Sequence, residues 1–323
     1  MGNCKRTDNR LLPSQHTPAS FLASFDTMTR IQANFILLLT AAIWGAAFVS
    51  QNTAMQTMGP FWFVGVRFII AFFVVLPFAI RENSKASAPI TRREMTAFFF
   101  IGLALFGGAV TQQIGMQTTT VTNASFLTGL YVIIVPVLSV VFLRKLPHWI
   151  IWPAAVMALA GIYYLSGGAV SSLKVGDLWM ILCACLFGTQ VLLVGIFAPG
   201  SERPMALSAL QFLICGIGAT VIALMVEPIT MAALWETLPE ILYAGILSSG
   251  VAYTLQIVGQ RWTTAPQAAI FLSSESLFGA LFGALLLGER IGFLGYIGCA
   301  LIFAAMILVE IVPEITKSKH SRA

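Results

Sequence analysis

The sequence predicts an all-α membrane protein: ten transmembrane helices in two inverted five-helix repeats, with N- and C-termini cytoplasmic. Three observations carry this expectation. Of 323 residues, 58% are hydrophobic and 10% charged, against about 25% charged in a soluble domain. The apolar runs are apolar all round, whereas transmembrane strands would alternate over short segments. The chain also says nearly the same thing twice. Gln112, Gly115, Thr119, Thr120 and Ala124 recur 144 residues later as Gln256, Gly259, Thr263, Thr264 and Ala268. Arg67-Phe68 is answered by Gln211-Phe212 at the same offset, and Trp44-Gly45 by Phe187-Gly188 one residue short of it.

A spanning helix needs about 20 predominantly apolar residues, and ten runs qualify. The first, 34–54, follows a polar tail (residues 1–33) that lacks the apolar core of a cleavable leader and could be disordered. Met28, just before that run, is an alternative start. The second run, 60–80, holds Arg67. The third, 95–114, follows the longest internal polar stretch, 81–94. The fourth and fifth, 123–143 and 149–166, are joined by five residues, which leaves room only for antiparallel neighbours. A Gly- and Ser-rich linker, 167–175, precedes the sixth, 176–197. The seventh and eighth are 205–226 and 238–258. The ninth, 265–287, contains Glu275, and three residues lead into the tenth, 291–311. The repeats are thus 34–166 and 176–312, and a basic tail, 313–323, ends the sequence.

Orientation follows from the basic residues, which favour the cytoplasmic side. With the N-terminus inside, Lys5, Arg6, Arg10 and Arg30 lie inside, as do Arg81, Lys85, Arg92, Arg93, Arg144 and Lys145. Arg203, Arg261, Lys317, Lys319 and Arg322 join them, and only Lys174 and Arg290 fall outside. Five spans per half is an odd number, so the second half enters the bilayer from the opposite side. Such inverted repeats place a substrate site near mid-membrane, between the halves.

Glu275 is the strongest candidate within that site. It lies near the bilayer centre, where a charge costs about 2.5–3.5 kcal/mol on insertion scales. It reads as a substrate-binding or proton-carrying carboxylate, or else as a structural Glu bonded to Ser273, Ser274 or a helix break. Its repeat mate is Tyr131, which could hydrogen-bond substrate or simply pack. Arg67 could neutralise a substrate carboxylate, pair with Glu275, or bond backbone carbonyls; always charged, it cannot shuttle protons. Trp44 beside Gly45 could line a cavity, or Gly45 could permit close helix approach. Gln51 and Asn52, at the outer end of the first run, could line an outer mouth or simply meet water. Gln112 and Gln256 are matched polar residues that could serve a substrate path or structural bonds; Gln211, the mate of Arg67, keeps hydrogen-bonding ability without charge and, with Ser274, could reach the cavity or its mouth. Gly279 and Gly283, then Gly292, Gly295 and Gly298, suggest close packing within the chain more than a homodimer face.

No phosphate-binding loop of the ATPase type is present, so gradients must drive any work. His16, His148 and His320 lie outside the helix centres. Cys183 and Cys185 point to different sides of a helix. No metal site, cofactor, enzyme chemistry or nucleic-acid partner is expected.

Several segments together resemble the drug/metabolite transporter superfamily, specifically its EamA family. They are Ala-Ala-Ile-Trp44-Gly45-Ala-Ala-Phe48, then Gly59-Pro60-Phe61, Val-Arg67-Phe68-Ile-Ile-Ala71 and Gly176-Asp177-Leu178. Ala-Ile-Phe-Leu-Ser-Ser-Glu275-Ser276-Leu-Phe, running to Leu-Gly288-Glu289-Arg290, is similar to the family's penultimate helix. Ser276 stands where the family usually has Pro, and Leu143-Arg144-Lys145 where Gly-Glu-Arg is common. The resemblance implies a secondary transporter of a small organic metabolite, amino acid-like or drug-like. It would work by alternating access across a bacterial inner membrane, often outward; Glu275, read as a proton carrier or as the partner of a cationic group on the cargo, leaves a proton gradient as one possible energy source. The rivals are a translocator of lipid-linked or nucleotide-sugar cargo and a non-transporting membrane sensor. The first would favour a basic cavity and the second a soluble domain.

Overall fold

The computed structural model describes residues 28–86, 88–119, 121–167, 174–287 and 290–320. The tail to residue 27, Ser87, Thr120, most of the linker, Gly288-Glu289 and residues 321–323 lie outside the described residues.

Fourteen α-helices and one π-helical segment make up the described chain, with no strand among the described residues. The first repeat region holds α1 (Arg30–Ala54), α2 (Pro60–Lys85), α3 (Arg92–Met116), α4 (Val121–Thr128), α5 (Tyr131–Leu143) and α6 (Ile151–Leu165). The second holds α7 (Val175–Phe197), α8 (Pro204–Val226), α9 (Met231–Glu236) and α10 (Leu238–Leu242). The π-helical segment Tyr243–Tyr253 follows, then α11 (Thr254–Gln260), α12 (Ala265–Leu272), α13 (Glu275–Leu287) and α14 (Phe293–His320).

Local chemistry sets the boundaries. Thr29 caps α1: its hydroxyl accepts from Gln32 N at 3.3 Å, and Gln32 Oε1 accepts from Thr29 N at 2.8 Å. Thr91 and Glu94 do the same for α3. Proline opens α2 and α8, where its missing N–H costs nothing. Eight helices are long and apolar enough to cross a membrane: Arg30–Ala54, Pro60–Lys85, Arg92–Met116, Ala124–Leu143, Val175–Phe197, Pro204–Val226, Leu238–Gln260 and Phe293–Pro313. Ile151–Leu165 is a shorter apolar helix.

The ninth run, expected as one helix, is broken at Ser273-Ser274 into α12 and α13. No proline is involved. Ser273 Oγ donates to Ile270 O at 2.8 Å and Ser274 Oγ to Phe271 O at 2.6 Å. The two hydroxyls serve carbonyls at the break, where both serines are fully buried. The fourth run breaks at the matching pair, Gly129-Leu130. The correspondence is residue for residue: α4 and α5 shifted by 144 positions are α12 and α13.

Two carboxylates tie α2 and α8 together at opposite ends. Glu82, at the end of α2, accepts from Met205 N at 3.2 Å and Ala206 N at 2.9 Å, at the start of α8. Glu227, just past α8, accepts from Phe61 N at 3.1 Å and Trp62 N at 3.0 Å, at the start of α2. Each helix thus receives an anionic cap where its dipole is positive and its N–H groups are free. Away from this pair, α6 packs on α14, where Gly161 and Gly298 lie face to face. These glycines serve packing inside the chain.

Candidate functional site

A narrow central cavity of about 40 Å³ lies between the two halves. Its walls pair by the repeat. Gln112 and Gln256, Thr128 and Leu272, and Tyr131 and Glu275 are mates at 144 residues, and all six line it. Trp44 and Phe187, and Phe48 and Val191, are mates at 143 and line it too. The cavity therefore sits where equivalent faces of the two halves meet. In two of these five pairs, Thr128 with Leu272 and Tyr131 with Glu275, one member is markedly more polar than its mate, so the repeat supplies the geometry and its divergence supplies the chemistry.

Glu275 opens α13, directly after the helix break. The break points the positive end of a helix dipole at its carboxylate. The hydroxyls of Ser273 and Ser274 are occupied with backbone carbonyls, so neither neutralises Glu275. Ser274 is fully buried at the break and does not line the cavity. Across from Glu275, Tyr131 opens α5 at the matching break. Their side chains interact, yet Tyr131 Oη and Glu275 Oε1 stop short of hydrogen-bond geometry.

Arg67 enters from α2 and is 2% exposed. Its guanidinium carbon lies 4.9 Å from the Phe68 ring centroid and 5.4 Å from that of Phe63, a cation–π seat. Among the described residues it makes no salt bridge, with Glu275 or any other carboxylate. The cavity thus holds one guanidinium and one carboxylate that do not pair with each other.

Trp44 both packs and lines the cavity. Its ring sits 4.7 Å from that of Tyr253, and Nε1 donates to Ser248 O at 3.0 Å. That carbonyl lies within the π-helical turn, where the wider winding disrupts the regular bonding pattern. Thr40 Oγ1 reaches Ala252 O and Tyr243 Oη reaches Ile43 O along the same seam. Gln51 lines the cavity with its Oε1 unpartnered. Asn52 is half-buried and Gln211 fully buried, and neither lines it.

Sequence reading missed Ser248 and Tyr253, which the π-helical turn brings to the cavity, and Gln190 of α7. Gln190 carried a signal, being an amide in the middle of an apolar run. The π-helical winding had none.

The sequence profile of the EamA-like transporter family matches residues 31–167 and again 174–311. An uncharacterized transporter of Archaeoglobus fulgidus is 30% identical over 282 residues, covering 87% of each chain. A protein of Chlamydia muridarum named S-adenosylmethionine/S-adenosylhomocysteine transporter is 25% identical over 304 residues, covering 84% of this chain and 91% of that one. A solved crystal structure shares the fold, with a TM-score of 0.73 at 16% identity over 88% of this chain and 98% of that one. This multi-pass membrane chain, matched over both of its halves, belongs to the EamA-like transporter family.

Proposed function

We propose that the protein is a secondary active carrier of a zwitterionic, amino acid-like metabolite, exporting it across a bacterial inner membrane by alternating access. One observation carries the choice of cargo: Arg67 and Glu275 line the same cavity and do not pair with each other. Leaving a guanidinium and a carboxylate unpaired in a low-dielectric site is costly unless the carboxyl takes up a proton. A cargo that brings an anion to Arg67 and a cation to Glu275 relieves both charges at once. The aromatic walls, Trp44, Phe48, Phe187 and Tyr253, suit an apolar side group on such a cargo. The Chlamydia muridarum relative is named for S-adenosylmethionine and S-adenosylhomocysteine, both amino acids in their charged end. Lipid-linked or nucleotide-sugar cargo would call for clustered cations, and Arg67 is the one Lys or Arg in the described lining.

In this reading the ten runs all cross the membrane, with both ends in the cytoplasm and the halves inverted. The bonds between loops support that arrangement. Arg203, assigned inside, bonds Asn83 and the Ala88 carbonyl of the inside loop. Glu227, assigned outside, bonds the start of α2, and Thr119 bonds Asp177, both outside. Two broken helices meeting at the cavity provide hinges about which the halves rock, and Glu275 carries the coupling proton when cargo is absent.

The test is substrate-induced thermal stabilisation of the purified protein. The probes are amino acids, S-adenosylmethionine, nucleosides and cationic drugs, followed by flux in proteoliposomes under an imposed pH gradient. Zwitterions are expected to stabilise the protein, and Glu275→Gln to abolish gradient-driven flux. Gradient-driven flux that survives Glu275→Gln refutes the coupling role, and hits confined to phosphorylated sugars refute the cargo class.

A further inference from the structure

Four buried glutamines form a chain beside the cavity, on α7, α8 and α11. Gln260 Nε2 donates to the Val191 carbonyl at 2.9 Å. Gln256 Nε2 donates to Gln260 Oε1 at 2.9 Å and to Gln190 Oε1 at 3.0 Å. Gln190 Nε2 in turn donates to Gln211 Oε1 at 3.3 Å. All four are at most 1% exposed.

A side-chain amide can turn over, exchanging its donor and acceptor ends, so its polarity is set by its partners. Here the Val191 carbonyl sets it, because a backbone carbonyl only accepts. Gln260 must offer it the amino group and turn its own oxygen toward Gln256. Gln256 must then donate to Gln260, and its second N–H goes to Gln190. What remains of Gln256 is Oε1, buried and unpartnered. Gln256 is a lining residue of the cavity, whereas Gln260 and Gln211 are not. The free atom at the far end of the chain, Gln211 Nε2, is a donor away from the cavity lining. The other unpartnered atoms of the lining are Gln51 Oε1, Thr128 Oγ1, Tyr131 Oη, Glu275 Oε1 and Arg67 Nε. Apart from Arg67, each can accept.

We infer that Gln256 is a specificity-determining residue whose oxygen, locked in place from the Val191 carbonyl through Gln260, accepts a hydrogen bond from an N–H group of the cargo. The inference rests on the reading of this cavity as the cargo site. It deepens that reading by giving the cargo's amine or ammonium group a second, neutral partner besides Glu275, and by making Gln260 a positioning residue that never touches cargo. A site built around a fixed acceptor rejects an analogue lacking the donor, because the acceptor stays buried and unpaired.

The test pairs L-amino acids and S-adenosylmethionine with their desamino analogues, titrated against the purified protein by thermal shift. The amine member of each pair is expected to bind and the desamino member to fail. Gln256→Leu should weaken the amine probe by about 3- to 10-fold, the worth of one hydrogen bond, with less effect on any residual desamino binding. Gln260→Met frees Gln256 to turn, and should erode the preference without altering the cavity wall. If amine probes bind through Glu275 while Gln256→Leu and Gln260→Met leave the preference intact, this inference falls and the carrier reading stands. If the bound probes lack N–H donors, the inference is overturned. If every probe is silent against a folded protein, the cargo-site reading falls with it.

Discussion

Gly45 is the position where a single added carbon tests the architecture most directly. A Cβ built there would lie 2.6 Å from Gly279 N, 2.6 Å from Phe278 Cβ and 2.7 Å from Glu275 O. Ordinary heavy-atom contacts are about 3.5–4.0 Å, so α1 and α13 must separate by roughly 1 Å. Two of the three obstructing atoms are backbone, so no side-chain rotation relieves them. Overpacking of this kind costs about 1–3 kcal/mol. One obstructing atom is the carbonyl of Glu275, so the displacement reaches the cavity. The repeat mate Gly188 is the internal control. A Cβ there meets Ile134 Cγ2 at 3.0 Å and Ile134 Cβ at 3.5 Å, both on a side chain that can give way. Gly45→Ala should therefore lower the melting temperature and cut proteoliposome flux by an order of magnitude or more, while Gly188→Ala stays near wild type. Thermal denaturation followed by tryptophan fluorescence, beside flux on the same preparations, reads both effects. Equal tolerance at the two glycines would refute the claim that α1 and α13 meet through their backbones beside Glu275.

Three further outcomes follow from the same geometry. Tyr131→Phe removes a buried hydroxyl that interacts with Glu275 without reaching hydrogen-bond geometry, so the melting temperature should hold or rise; a clear fall would show that the hydroxyl stabilises the carboxyl after all. Glu82→Ala and Glu227→Ala each strip an anionic cap from one end of the α2–α8 pair, and each should cost about 0.5–2 kcal/mol in unfolding experiments, with additive losses because the two sites lie at opposite helix ends. Ser273→Ala leaves the Ile270 carbonyl without its hydroxyl donor, whereas Phe271 O keeps a bond from Ser274 N after Ser274→Ala. The first should be the more destabilising, by about 1 kcal/mol or more, and equal effects in denaturation would count against the proposed role of the hydroxyls at the break.

The sequence by itself determined the class of fold and the internal repeat. Apolar runs of spanning length have few outlets other than membrane helices, and the 144-residue recurrence of Gln112 through Ala124 identified matching elements. It also singled out Arg67 and Glu275, because charged groups in an apolar run are conspicuous, and Tyr131 as the repeat mate of Glu275. Tertiary structure decided what those groups meet. Local composition cannot show that Arg67 rests on Phe63 and Phe68 and leaves Glu275 unpaired, since that depends on how separate helices approach. Nor could it show that Ser273 and Ser274 break a helix without proline, or that a π-helical turn brings Ser248 and Tyr253 to the cavity. The polarity of Gln256 is the clearest case. It is set by a backbone carbonyl 65 positions away in the chain, through Gln260, and only packing brings the three together. A sequence records which hydrogen-bonding groups are present; the fold decides which of their atoms remain free.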